Sequence, residues 1–401
     1  MRIGMMADVY KPHISGVTNV IALTKTYLEK AGHEVFVFTF KDQQYKDDEK
    51  NIIRSASIPV LDTGFNINWR YTREARNLLR TMDVVHVHHP FISGPLAIRY
   101  CRKRGIPIIF TNHTRYDLYA QAYLPAMAEA ISETVLEAYL PGFCRALDLV
   151  IAPSAGMRDV LKGFGVDSEI LVVPNGVDLK PFQNPGKRME RSKFGFSDED
   201  ILLIYVGRLG PEKNLNFLLR AFAGALQAYP NLGLMLVGEG TERENLQDRV
   251  KNSGIESRVY FTGLVPYDSL PVYLGLADAF VTASVTEVHP LSVIEAMASG
   301  LSVLGIQSPG VGDTIIDNQT GYLVAEQDLA AFTAKLVRIS TDHEKRKEMG
   351  RQAQIAAEQY DIVRTTQLMI DCYQRVIRDK AYRKRGWRYK LNQITHKWSK
   401  T

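Results

Sequence analysis

Short apolar runs recur along the chain, with longer helix-patterned stretches between them. The first series is "RIGMMA", "HEVFVFTF", "DVVHVHH", "IPIIFTNH", "LVIAPS" and "ILVVPN"; the second is "ILLIYVG", "LGLMLVG", "RVYFTG", "AFVTAS" and "LSVLGI". Many runs are continuously apolar rather than alternating, as expected of parallel strands covered by helices on both faces. Alternating strands and helices predict a doubly wound α/β architecture. Between the two series lies "GVDLKPFQNPGKRMERSKFGFSDED", which is polar, contains two prolines and lacks a clear period. The pattern therefore divides into an N-terminal Rossmann-like domain (1–178), a linker (179–200) and a second Rossmann-like domain (201–361). After "GYLV" only helical patterns follow. They include a helix over 362–379, long enough to cross back onto the first domain, and a tail over 380–401.

In an open parallel sheet the carboxyl ends of the strands line the ligand crevice. Asp8, His86 to His89, Asn112-His113 and Pro174-Asn175 fall at such ends in the first series. Gly207-Arg208, Gly238 to Gly240, Gly263 and Thr286-Glu287 do so in the second. Two sheets facing each other predict an interdomain cleft that collects these residues.

Composition narrows the class. A chain of 401 residues with 45% apolar and 23% charged residues fits a soluble globular protein of two domains. Cys101, Cys144 and Cys372 are far apart and odd in number, which favours a reducing cytoplasm over a disulfide framework. "MRIGMMADVY" reads as a strand rather than a secretory leader, and no apolar run approaches the roughly 20 residues of a membrane span. Charge is uneven: 380–401 holds eight Lys/Arg and no acid, against +5 for the whole chain, so the first 379 residues are net −3. Basicity belongs to the tail.

Several segments carry candidate chemistry. In "GRLGPEKN", Arg208 leaves a strand end and Lys213 precedes a helix, which makes an anion site unless both are cations on a solvated turn. "PHISGVTNV" opens the first helix, and Gly16 there allows close approach of a phosphate, although an ordinary turn reads the same way. "VGEGTERENL" predicts a capping box of Thr241 and Glu244, with glycines that either make room for a flat base or form a plain turn. "SVTEVHPLSVIEAMASG" places Glu287 and Glu295 eight positions apart, about 80° around a helix and so not on one helical face. Pro290 suits the first position of a helix beginning near Leu291. Glu287 then lies in the loop and Glu295 in the second turn, and the two carboxylates reach different hydroxyl pairs of one extended ligand. "DED" at 198–200 reads as a solvated turn rather than a metal motif.

E-x7-E after a strand, G-R-L-x-x-x-K-N after the linker, a histidine at a first-domain strand end, "PNGVD" and "SPGVGDTIIDNQTGYLV" together resemble the family 4 retaining glycosyltransferases of the GT-B fold, over about residues 1–375. The resemblance implies a nucleotide-sugar donor. Arg208 and Lys213 would hold its diphosphate, with Gly16 beside the phosphates, and Glu295 would bind the ribose. Glu287 and the backbone after it, through Val288, His289, Pro290 and Leu291, would grip the transferred sugar, with His113 alongside. His113, Glu287, Arg208 and Lys213 form the implied catalytic set. Where the family often has glycine, this chain has Val288-His289-Pro290, and Pro290 has no N–H to donate. The resemblance also implies same-face attack, the departing phosphate helping to deprotonate the acceptor, with no metal and no cofactor required.

For the acceptor, His88 and His89 read as cleft lining rather than a zinc site. The stripe of Tyr116, Tyr119 and Tyr123 reads either as core or as contacts to an acyl chain. These segments resemble, within the family, the transferases that glycosylate diacylglycerol. Arg73, Arg76 and Arg80 recur at helical spacing after Trp69, and the tail interleaves cations with Tyr382, Trp387, Tyr389 and Trp398. Such surfaces suit an anionic membrane, although a basic tail with no such duty has the same composition. The expectation is a cytoplasmic enzyme, peripheral on the inner face of the cell membrane, that moves glucose from UDP-glucose to 1,2-diacylglycerol. Alternatives are a GDP-mannose-dependent enzyme acting on phosphatidylinositol or a soluble acceptor, a sugar-nucleotide epimerase of the same shape, and a non-catalytic binder. Nucleic acid is not an expected partner, since no nucleic-acid module precedes the tail.

Overall fold

The computed structural model describes residues 1–13, 15–40, 45–56, 58–59, 66–67, 70–118, 129–186 and 189–398, with the side chains of 58–59, 66–67, 129–132 and 383–398 outside that description. Two sheets organise it, and every strand pair in them is parallel. The first is ordered β3-β2-β1-β6-β7-β8-β9: β1 (Arg2–Met6), β2 (Glu34–Phe40), β3 (Ile52–Ser55), β6 (Val84–Val87), β7 (Ile108–Thr111), β8 (Leu149–Ala152) and β9 (Ile170–Val172). A small antiparallel pair, β4 (Ile58–Pro59) and β5 (Asn66–Ile67), lies between β3 and β6 in sequence. The second sheet is ordered β12-β11-β10-β13-β14-β15: β10 (Ile201–Val206), β11 (Leu232–Val237), β12 (Val259–Gly263), β13 (Ala279–Val281), β14 (Ser302–Ile306) and β15 (Gly321–Val324).

The central strands are buried along most of their length, as in "VVHV", "IIFT" and "LVIA". That accounts for their unbroken apolar character. Each sheet reverses strand order once, between β1 and β6 and between β10 and β13, and each reversal opens a crevice at the carboxyl edge.

β3 escapes the sequence pattern. It is a short edge strand reading Ile-Ile-Arg-Ser, with only two apolar residues.

The stretch read as a linker is more ordered than its composition predicts. The Val177 N–H donates to the Tyr360 carbonyl (2.9 Å) and the Ile362 N–H to the Val177 carbonyl (3.0 Å), which ties entry to and exit from the second domain. "DED" is not a solvated turn throughout. Asp200 is buried, accepts from the Ser197 N–H (2.7 Å) and pairs with Arg258 (2.5 Å). The expected capping box is absent too: the helix Arg243–Asn252 begins after Glu242 and has no side-chain cap.

The last helix, Ile362–Trp398, crosses onto the first domain as expected and continues well past 379. Ile370, Cys372, Tyr373 and Val376 are buried with the first helix (Gly16–Lys30) and β1–β2. Arg375 pairs with Glu169 (2.8 Å) and Lys380 with Asp148 (2.7 Å) along the same contact.

Candidate active site

At the second switch point, β10 and β13 deliver two loops side by side. After β10 the chain passes Gly207-Arg208 and the short turn Pro211–Lys213 into the helix Leu215–Ala228. After β13 it runs through Ser284 and Glu287 into the helix Leu291–Ala298. Three bonds join the loops. Asn214 Nδ2 donates to the Ala283 carbonyl (3.3 Å), Thr286 Oγ1 to the Glu212 carbonyl (3.3 Å), and Lys213 Nζ to Glu287 Oε1 (2.6 Å). Asn214 takes φ 53° at the start of its helix, a left-handed position that asparagine tolerates well.

Burial alone would push the Glu287 carboxyl up. The Lys213 charge and hydrogen bond, a bond from Ser284 and the Arg208 charge outweigh it and hold the group below its ordinary value. Glu287 is therefore an anion at neutral pH. Arg208 is half-exposed, and its Nε lies 3.3 Å from the buried Glu212 carboxylate. The Arg208 carbonyl accepts from Tyr205 Oη (3.1 Å). Two cations thus stand at the end of β10, one oriented by Glu212 and the other by Glu287.

Glu295 lies in the second turn of its helix, as the spacing predicts, and is buried. Its Oε1 accepts from Tyr267 Oη (2.8 Å), in the loop after β12. Burial raises its carboxyl to about 7, against the pull of that hydrogen bond.

The chain between the two acids departs from expectation. Pro290 is the residue before the helix (φ −78°, ψ 100°) and not its first turn. Val288 is buried in the apolar cluster of the first domain, and His289 packs its ring edge-on to Tyr360 at 5.0 Å. Burial drives the His289 imidazole to about 3. With both side chains packed in these contacts, any grip on a sugar by this stretch is a matter for its main chain and for the helix start at Leu291, whose first N–H groups lack intrahelical acceptors. The loop is pressed from behind by Gly310: its N–H donates to the Glu287 carbonyl (3.0 Å), and a Cβ there would overlap that carbonyl. Gly238 and Gly240 likewise let the loop after β11 lie directly on Gly207 and Leu209. This is a packing reason for glycines that the sequence leaves open between a turn and room for a base.

On the first domain, Gly16 is the exposed first residue of its helix, capped by Ser15 and Thr18. Burial lowers the neighbouring His13 imidazole, and the positive charge of Arg208, across the cleft, lowers it further. His113 is half-buried at the end of β7. His88 is not cleft lining: it is buried behind His113, with its Nδ1 3.0 Å from His113 Nε2 and its ring over His86 at 4.2 Å. Alternation had placed His86 and His88 on one side, and they are in contact. His89 Nδ1 accepts from the Asp8 N–H (3.1 Å), and Asp8 accepts from the Ser93 N–H (2.7 Å) and from its hydroxyl. Tyr116 packs edge-on against Phe91, a residue that is itself 44% exposed. Tyr119 and Tyr123 lie outside the described residues. Among the described residues no group of three or more His, Cys, Asp or Glu is placed to hold a metal ion. None of their helices is long and apolar enough to cross a membrane.

Glu212 and Tyr267 are the contributors that the sequence reading missed. Glu212 carries a weak signal, an acid four residues after Arg208. Tyr267 carries none, because its partner is 28 residues away.

Residues 14–181 match the family model described as Glycosyltransferase Family 4, and residues 186–355 the one described as Glycosyl transferases group 1. The chain is 32% identical over 372 residues to alpha-monoglucosyldiacylglycerol synthase of Streptococcus pneumoniae, covering 90% of this chain and 83% of that protein. To the enzyme of the same name in Acholeplasma laidlawii it is 27% identical over 380 residues (90% and 93%). It is 26% identical over 364 residues (87% and 83%) to a GDP-mannose-dependent alpha-mannosyltransferase of Corynebacterium glutamicum. Among solved structures, Anabaena HepE in complex with UDP superposes with a TM-score of 0.75 at 19% identity, over 93% of this chain and 100% of that one. Sucrose-phosphate synthase of Thermosynechococcus elongatus superposes at 0.77 and 22%, over 94% and 99%. The facing sheets are thus the GT-B fold, and the chain belongs to glycosyltransferase family 4.

Proposed function

We propose that this glycosyltransferase moves glucose from UDP-glucose to a diacylglycerol-type membrane lipid, with retention at the anomeric carbon and without a metal ion. The observation that carries the donor reading is the Lys213–Glu287 pair at 2.6 Å, with Arg208 beside it at the end of β10. An ammonium has three N–H donors, so Lys213 can keep Glu287 and still reach a phosphate oxygen. Arg208 and Lys213 together oppose the charge that grows on the leaving diphosphate, where such stabilisation acts most strongly. Glu287, held as an anion, accepts from sugar hydroxyls. Glu295 takes the ribose, and His113 stands beside the sugar across the cleft, with Gly16 near the phosphates.

The chemical step needs no carboxylate nucleophile. The anomeric C–O bond breaks and UDP leaves with the electron pair. The acceptor oxygen bonds to the anomeric carbon on the same face, and its proton passes to the departing phosphate oxygen. The two cations supply the charge for which a divalent ion serves elsewhere.

Glucose and a diacylglycerol acceptor are supported by the names of the Streptococcus and Acholeplasma relatives, and a uridine donor by HepE with UDP. A surface contact is supported by a basic concavity on the first domain, lined by Arg80, Arg99, Tyr100, Lys103 and Arg104. Its residues precede β6 and β7, and Lys380 meets Asp148 just before β8, so the patch and the root of the basic tail share the amino edge of the sheet. There they would hold the protein to an anionic surface and leave the cleft free.

The test offers UDP-glucose, UDP-galactose and GDP-mannose in turn to the purified protein, with phosphatidylglycerol vesicles containing diacylglycerol, and reads the product by mass. A hexosyl-diacylglycerol from UDP-glucose is expected, with turnover down by about 10²–10³-fold in Lys213→Ala. Transfer only from GDP-mannose, or no lipid product from any donor, overturns the assignment.

A further inference from the structure

Behind His113 lies a small cavity between the first domain and the crossover helix, mainly apolar but with polar groups on several sides. His86, His88 and Thr111 form one wall, Asn175 from the loop after β9 another, and Thr365 and Thr366 of the crossover helix a third. Its volume is ≈ 20 Å³, about what one water molecule needs. Two buried polar atoms of lining residues have no hydrogen-bond partner in the protein, Nε2 of His88 and Oγ1 of Thr366. The residues themselves are 2% and 4% exposed. Buried polar atoms of this kind are normally satisfied, by protein or by an ordered water.

We propose that a water held between Thr366 Oγ1 and His88 Nε2 makes His88 and Thr366 positioning residues that set the tautomer of His113. His86 cannot do this, because both its nitrogens are occupied, by Tyr373 Oη (2.8 Å) and Thr111 Oγ1 (2.7 Å). His88 touches His113 directly, Nδ1 to Nε2 at 3.0 Å. Burial keeps both rings neutral, so one ring donates across that contact and the other accepts.

On this proposal Thr366 biases which, by taking one of the water's two lone pairs. The neighbouring Thr365 hydroxyl donates back to the Ile362 carbonyl (3.3 Å), whereas the Thr366 hydroxyl has no protein acceptor and is free to donate to the water oxygen. The water then has its own hydrogens for His88 Nε2. His88 carries its proton on Nδ1 and donates it to His113 Nε2, and His113 is left protonated on Nδ1. A residue of the crossover helix, 278 positions from His88 in the chain, thereby chooses whether His113 offers a donor or a lone pair. The inference rests on His113 standing beside the transferred sugar.

Long-range ¹H–¹⁵N spectra of the full-length protein, labelled at histidine, read the tautomers without any donor. Both His88 and His113 should be protonated at Nδ1 in the unaltered protein. Thr366→Val should mix or invert both, with kcat down by roughly tenfold at unchanged donor KM, and Thr366→Ser should restore both readouts. Should the valine variant not fold, Thr366→Ala serves in its place. An Nε2-protonated His113 in the unaltered protein, or a tautomer unmoved by loss of the hydroxyl, overturns the proposal. Because the spectra need no substrate, that failure is distinguishable from the failure of the donor assignment.

Discussion

Glu287 and Glu295 are one residue type under opposite electrostatics. Lys213 and Arg208 outweigh the burial of Glu287 and keep it ionised, while nothing cationic balances the burial of Glu295, whose carboxyl rises to about 7. The second case has a sign that can be worked out. The folded protein holds the Glu295 proton up to about pH 7, and the unfolded chain releases it near 4.5. The folded state therefore binds more protons in that window, and its stability falls as pH rises through it. A shift of this size corresponds to the order of 3 kcal/mol. Glu295→Gln keeps an acceptor for Tyr267 and removes the charge. It should melt above the parent protein at pH 8 and level with it at pH 4, while donor KM rises. A parent-like melting temperature at pH 8 would contradict the account. On the proposed ribose role of Glu295, the protein would give up stability for a ligand-binding group, the usual exchange at a functional site.

At the scale of elements, the site is a set of loops positioned by strand ends, and backbone contacts hold the loops. The helix Pro309–Thr314 reaches the acid loop through Gly310, whose missing side chain lets the Glu287 carbonyl come close. Gly310→Ala would move the Glu287 main chain without touching its carboxylate. It should leave the protein folded, with about 1–3 kcal/mol of overpacking, and cut kcat/KM by at least roughly tenfold, since small displacements of positioning groups are costly. Thermal melts and steady-state kinetics separate the two effects. Parental kinetics would show that the loop tolerates the shift.

Strands in the sheet interior were legible because burial on both faces demands an unbroken apolar run. The edge strand β3 was not, because one side of it faces no neighbour and asks little of its residues. The loop-to-helix placement of Glu287 and Glu295 was legible from the proline and from the helical period. So was the helix start near Leu291; the place of Pro290, the residue before the helix and not its first, was not, since proline's fixed φ suits both positions.

Across the whole molecule, the crossover helix joins what the sheets separate. Its first turn is tied to Val177 at the domain junction, its middle packs on the first helix, and Lys380 ends at Asp148. The amino edge of the first sheet then gathers two basic elements that are about 300 positions apart in sequence, the concavity and the tail root. Cations at an anionic leaflet contribute about 1 kcal/mol each. Arg99→Gln with Lys103→Gln should therefore weaken binding to phosphatidylglycerol vesicles by roughly 30-fold. The effect should fade at high salt and be absent with phosphatidylcholine. Undiminished sedimentation with anionic vesicles would remove this edge from the membrane contact.

Local chemistry settled what depends on near neighbours in sequence. The doubly wound domains follow from runs that must be buried on both faces, and the strand-end placement of Arg208, Lys213, Glu287 and His113 follows from where those runs stop. The tertiary structure alone decided the pairings: Lys213 with Glu287, Glu295 with Tyr267 and His88 with His113. Each joins side chains on different elements, and sequence separation says nothing about which loops two facing sheets bring within about 3 Å of each other. It also decided which way a side chain turns. That is how the side chains of Val288, His289 and His88 came to be buried, a turn that their positions in the chain did not reveal.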